Sequence, residues 1–64
     1  MENIKSKNLE INDKITFFDN NTLMDGQIIE KNYLDKGDID FVIKTSDNRI
    51  MRSKHRNLNI YCKY

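Results

Sequence analysis

Residues Phe41–Leu58 read FVIKTSDNRIMRSKHRNL, and this stretch decides the fold. Phe41, Ile43 and Thr45 alternate with Val42 and Lys44, the period of a half-buried strand. Ser46-Asp47-Asn48-Arg49 supplies a tight turn, since Asp and Asn tolerate the left-handed backbone a hairpin requires. Arg49, Ile50, Met51, Arg52 and Ser53 form the return strand. Lys54-His55-Arg56-Asn57-Leu58 has the polarity of one helical turn, and Asn59-Ile60-Tyr61-Cys62 follows as a last short strand with Ile60 inward.

The preceding residues extend the same pattern. Asn32–Asp40 (NYLDKGDID) is expected to be a mobile acidic loop, with Gly37 amid aspartates. Leu23–Lys31 is predicted to be a strand with Met24, Gly26 and Ile28 on one face, and Gly26 marks a bend or a close backbone approach. Asp19-Asn20-Asn21-Thr22 is a turn cluster, and before it Ile11, Ile15 and Phe17 alternate inward against Lys14, Thr16 and Phe18. Residues 1–10 are polar, with Ile4 and Leu9 too far apart for a helical stripe, and are expected to be a flexible lead-in. The expectation is an all-β fold: one five-stranded barrel over residues 11–64, with a short helical turn before the last strand.

Sixty-four residues are near the lower limit for a self-sufficient core. Such a chain hides about 60% of the surface it exposes when unfolded, and its stability is expected on the order of 3–5 kcal/mol. A deep catalytic cleft is hard to build on so small a body. The net charge of +1 is unevenly placed: residues 1–43 carry five lysines against nine acids, whereas residues 44–64 carry six cations against Asp47. The single Cys62 excludes an internal disulfide, which implies a reducing compartment. With no apolar run long enough for a membrane span and no signal-peptide hydrophobic region, the expected location is cytoplasmic. The absence of Ala and Pro and the abundance of Asn, Ile and Lys match an AT-rich coding sequence, as in a low-GC bacterium, its phage or a mobile element.

Asn12-Asp13-Lys14-Ile15, Asp25-Gly26-Gln27-Ile28 and Phe41-Val42-Ile43-Lys44 with Asp47-Asn48-Arg49, Met51 and His55-Arg56-Asn57-Leu58 resemble the SH3-like barrel superfamily, including bacterial Tudor-like and KOW-type modules. The glycine and small-residue positions of the KOW motif are not matched. Ile15-Thr16-Phe17-Phe18, Met24-Asp25-Gly26-Gln27-Ile28 and Lys54-His55 also resemble the bacterial Sm-like RNA chaperone. That second resemblance implies a ring oligomer contacting uridine-rich RNA through a Lys-His pair. Its departures are the lack of a clear N-terminal helix, an extra loop near Gly37, and Arg56-Asn57 where small and apolar residues are expected.

Two groups of residues are candidates for binding. Arg49, Arg52, Lys54, His55 and Arg56 would neutralise phosphates, or would only be a solvated face guarding an edge strand. Phe18 and Tyr61 would anchor a protein interface, where aromatics and Arg concentrate, or cap the barrel. Asp35, Asp38 and Asp40 lack the spacing of a calcium loop, and neither His55 nor Cys62 belongs to a metal set. No phosphate-cradling glycine loop and no catalytic pair is present, so no cofactor is expected. The function expected is non-catalytic binding of a protein partner through Phe18, Tyr61 and the Arg49–Arg56 cluster, with RNA or DNA binding through the basic strand as the alternative.

Overall fold

The computed structural model describes residues 6–64. The fold is all-β. Strands β1 (Lys14–Asp19), β2 (Thr22–Tyr33), β3 (Ile39–Thr45), β4 (Ile50–Lys54) and β5 (Asn59–Lys63) form one antiparallel sheet in the order β4-β3-β2-β1-β5. Three-residue turns occur at Ser6–Asn8, Asp35–Gly37 and His55–Asn57, the last of them just before β5 as the sequence predicts. The expected flexible lead-in falls partly on Met1–Lys5, which lie outside the described residues, as does Ile4.

The connection from β4 to β5 forces the sheet to curl. These strands are its two edges, which in a flat sheet would stand roughly 19 Å apart. Only residues 55–58 join them, a link that even fully stretched spans no more than about 17 Å. Three of those residues are wound into a 3-10 turn, which shortens the reach further. The edges must approach one another, and the sheet becomes a half-open barrel. β2 is its long bent strand, with a register shift against β3 between Ile28 and Glu30 that leaves Ile29 as an unpaired bulge.

The hairpin turns use the residues their geometry demands. Asn20 and Asn21 both have positive φ, at 50° and 66°, between the paired Asp19 and Thr22. That is the two-residue turn whose twist suits antiparallel strands. Lys36 (φ 64°) and Gly37 (φ 79°) make the corresponding turn between β2 and β3. The acidic segment 32–40 is therefore not a long mobile loop: the strands run to Tyr33 and resume at Ile39, and Leu34 N–H donates to the Asp38 carbonyl at 2.8 Å. The alternation there was hidden by Asp38 and Asp40, which face outward and pair with cations. At the β3–β4 turn, Asn48 takes φ 66° while Thr45 and Arg49 close the loop, N–H to carbonyl at 2.8 Å.

Leu9, Ile15, Phe17, Ile28, Ile39, Phe41, Ile43 and Leu58 form the core, with Met24, Met51 and Ile60 packed against it. Leu9 enters this core from before Ile11, where the body was expected to begin. Ile11 is instead 52% exposed, because Asn12 turns the chain at φ 79° before β1 starts. The segment is held by Lys31, whose ammonium donates to the Lys7 carbonyl at 3.1 Å and to Glu10 Oε1 at 3.3 Å. That ammonium also lies 5.4 Å from the Tyr33 ring and 6.0 Å from the Phe41 ring. Burial pushes the Lys31 pKa down, but Tyr33 and Glu10 outweigh it and hold the value above the ordinary one for lysine.

Two outward positions are also buried. Val42 lies between its ladder neighbours Glu30 and Arg52, whose stems flank it. Thr16 is buried because its hydroxyl is claimed by Asp25 and Tyr64. Gly26 marks a close approach, as expected, rather than the main bend. A Cβ there would stand 2.6 Å from Ile43 Cγ2 and 3.2 Å from Phe17 Cε1.

Candidate functional site

Strand alternation sends Phe17 into the core and Phe18 onto the outer face. Phe18 pairs with Leu23 on β2. On its other side, a register shift between Thr16 and Phe17 leaves Tyr61 of β5 unpaired in the ladder. This bulge turns Tyr61 toward Phe18, and the rings meet edge to face with centroids 5.9 Å apart at 89°, a geometry that aromatic quadrupoles favour. Phe18 is 38% exposed, Leu23 50% and Tyr61 62%. Three large apolar side chains from three adjacent strands thus share one open patch. Phe18 and Tyr61 were legible as outward aromatics; Leu23 was read only as the start of a strand.

The five basic candidates do not form one cluster. Arg49 sits at the β3–β4 turn, where its Nε donates to Asp47 Oδ2 at 2.8 Å. Asp47 is held below the usual carboxylate range by the Thr45 hydroxyl first and then by Arg49, against a smaller opposing effect of burial. Arg52 and Lys54 lie on the outer face of β4, with Asp40 3.9 Å from Arg52 and paired opposite Lys54 in the ladder. At the other end of β4, Asp38 receives Arg56 at 3.1 Å and stands 3.8 Å from His55. Arg49 and Arg56 therefore occupy opposite ends of the strand, each beside an acid of its own. In sheet order β3 and β2 separate β4 from β1, and none of these cations is a ladder neighbour of Phe18 or Tyr61.

A second outward row was not legible. Lys14, Gln27 and Lys44 are consecutive ladder partners across β1, β2 and β3. They floor an open groove of about 470 Å³ whose walls include Asp25, Asn48 and Tyr64. Neither Lys14 nor Lys44 makes an ion pair among the described residues. Between the row and the apolar patch runs a polar step. Thr16 Oγ1 donates to Asp25 Oδ1 at 2.6 Å and lies 2.8 Å from the Tyr64 hydroxyl. The Thr16 contact pulls the Tyr64 pKa down, but Cys62, partial burial and Asp25 outweigh it and raise the value. The signal for this row was spacing: Lys14 and Gln27 are outward residues of strands joined by a tight hairpin, so fixing the Asn20-Asn21 turn fixes their pairing.

Among the described residues no group of His, Cys, Asp or Glu is placed to hold a metal. Among the described residues no buried side-chain nitrogen or oxygen lacks a hydrogen-bond partner. Cys62 lies beside Tyr64, and His55 has Asp38. No described helix is long and apolar enough to cross a membrane. Comparison with known protein families, with curated proteins and with solved structures finds no match to this chain.

Proposed function

We propose that this chain is a non-catalytic protein-binding module whose contact surface is the outer face of β2, β1 and β5, centred on Phe18, Leu23 and Tyr61. The observation that supports this most is the edge-to-face Phe18–Tyr61 pair left open to solvent beside Leu23. Aromatic anchors that are already ordered in the free protein lose little side-chain entropy on binding and are the usual hot spots of interfaces. The basic strand supports nucleic acid less well, because Asp38, Asp40 and Asp47 stand against its cations. An SH3-like barrel is the scaffold we assign to the module, on the strength of a bent β2 and a strand order that puts β1 between β2 and β5.

The test is site-directed photocrosslinking in the cells that express the protein. A photoreactive phenylalanine analogue at position 61 should give a discrete protein adduct that Phe18→Ala abolishes, while the same probe at position 52 should give none. Adducts from position 52 alone, or adducts to nucleic acid from either position, would overturn the reading.

A further inference from the structure

The apolar patch and the lysine row lie on one continuous face. Along β2 the outward residues run Leu23, Asp25, Gln27, and along β1 they run Phe18, Thr16, Lys14. The face therefore starts apolar at Phe18, Leu23 and Tyr61, crosses the Thr16–Asp25–Tyr64 step, and ends in the groove between Lys14 and Lys44. Its two ends, Phe18 and Lys14, are four positions apart along β1, about 13 Å. That is also the span of about four residues of an extended peptide lying along the face. The Cα atoms of Lys14 and Lys44 are two ladder spacings apart, roughly 10 Å, so two flexible ammonium groups can converge on one or two anions over Gln27.

We infer that the partner of this surface is an extended peptide segment that packs a bulky apolar side chain on Phe18, Leu23 and Tyr61 and sets carboxylates, about four residues away, between Lys14 and Lys44. The inference rests on the protein-binding reading above and adds the chemistry of the ligand. Charge complementarity carries it: Arg49, Arg52 and Arg56 have acids within 4 Å and Lys54 stands opposite Asp40 in the ladder, whereas Lys14 and Lys44 have neither an ion pair nor an acid opposite them among the described residues. A nucleic-acid strand fits the same face less well. Its phosphates recur at every nucleotide and would set one against the exposed Asp25 carboxylate. A peptide can cross that point with a neutral residue or present a backbone N–H to Asp25.

The experiment is a selection of displayed random peptides against the full chain, followed by fluorescence titration of the enriched peptides at two salt concentrations. Enriched peptides should share a bulky apolar residue with Asp or Glu about four positions away. Lys14→Gln with Lys44→Gln should weaken them about tenfold and remove most of the salt dependence. Phe18→Ala with Tyr61→Ala should abolish binding. Peptides that need Phe18 and Tyr61 but show no acidic preference and ignore the lysine substitutions would overturn this inference and leave the protein-binding reading standing. Failure of any peptide to enrich, or enrichment indifferent to Phe18 and Tyr61, would overturn both. Salt-sensitive binding of a uridine-rich 20-mer RNA that Lys14→Gln with Lys44→Gln removes would assign the groove to phosphate instead.

Discussion

The outer face of β4 and the outer face of β1–β2 both carry exposed cations, yet they are built on opposite principles. On β4 the chain supplies its own counter-charges. Asp40 lies on the neighbouring strand, Asp38 at the end of the neighbouring hairpin and Asp47 in the turn. This is a guarded edge, whose charges discourage strand addition and answer one another. On the other face Lys14 of β1 and Lys44 of β3 flank a groove over β2 with no ion-pair partner among the described residues, and the aromatics farther along β1 and β5 stay open. Density of surface charge and availability of surface charge are therefore different quantities in this molecule. The densest run of basic residues in the sequence is the less available one.

The comparison requires that the β1–β2 face be separable from the fold beneath it, and the adjacent phenylalanines test that most severely. Phe17→Ala empties a core position and should cost about 3–5 kcal/mol, enough to unfold a domain of this size in urea or thermal melts. Phe18→Ala should cost only about 1 kcal/mol and leave a cooperative transition. Beneath the same face, Gly26→Ala pushes a methyl against Ile43 and Phe17, and it should lower stability by about 1–3 kcal/mol. Equilibrium urea denaturation measures all three.

The β4 side sharpens the contrast from the other direction. If Asp38 and Asp40 silence its cations, Asp38→Asn with Asp40→Asn should change stability by less than about 1 kcal/mol yet create binding to duplex DNA. Anisotropy should show that binding falling steeply with added salt. Unchanged, flat titrations in the double variant would mean the β4 cations are silent for another reason.

A smaller effect concerns acid. Asp13 accepts the Glu10 backbone N–H at 2.8 Å, with Lys63 3.3 Å away, and lies below its ordinary pKa of 3.8. The Glu10 hydrogen bond is the main cause; burial opposes it, and Lys63 adds to the lowering. A carboxylate depressed in the folded state contributes stability that is present above the unfolded pKa and lost as pH falls through the folded one. Stability should therefore decline below about pH 4, and Asp13→Asn should flatten part of that decline in chemical denaturation.

Much of the fold was legible because its signals are local. Asp19-Asn20-Asn21-Thr22 and Ser46-Asp47-Asn48-Arg49 are turns by their own chemistry, and Phe41-Val42-Ile43 alternates as a strand should. Leu9 was not legible as core, since an isolated apolar residue in a polar segment gains its burial from distant contacts: Lys31 ties down its neighbours, and the backbone of Asn12 and Asp13 bonds to that of Ile28. The pairing of Asp38 with Arg56 was equally hidden. It joins residues 18 apart in sequence across two separate turns, and no periodicity reports such a contact. For the surface, alternation placed Phe18 and Tyr61 outward, but only the bulge in β5 brings the rings together. The lysine row needed the register of three strands at once.

The decisive measurement is the affinity of one selected peptide for two double variants side by side. We expect Phe18→Ala with Tyr61→Ala to abolish binding and Arg52→Ala with Lys54→Ala to leave it within about twofold. Loss of binding in the β4 variant with retention in the aromatic one would contradict the assignment of the binding surface to β1, β2 and β5.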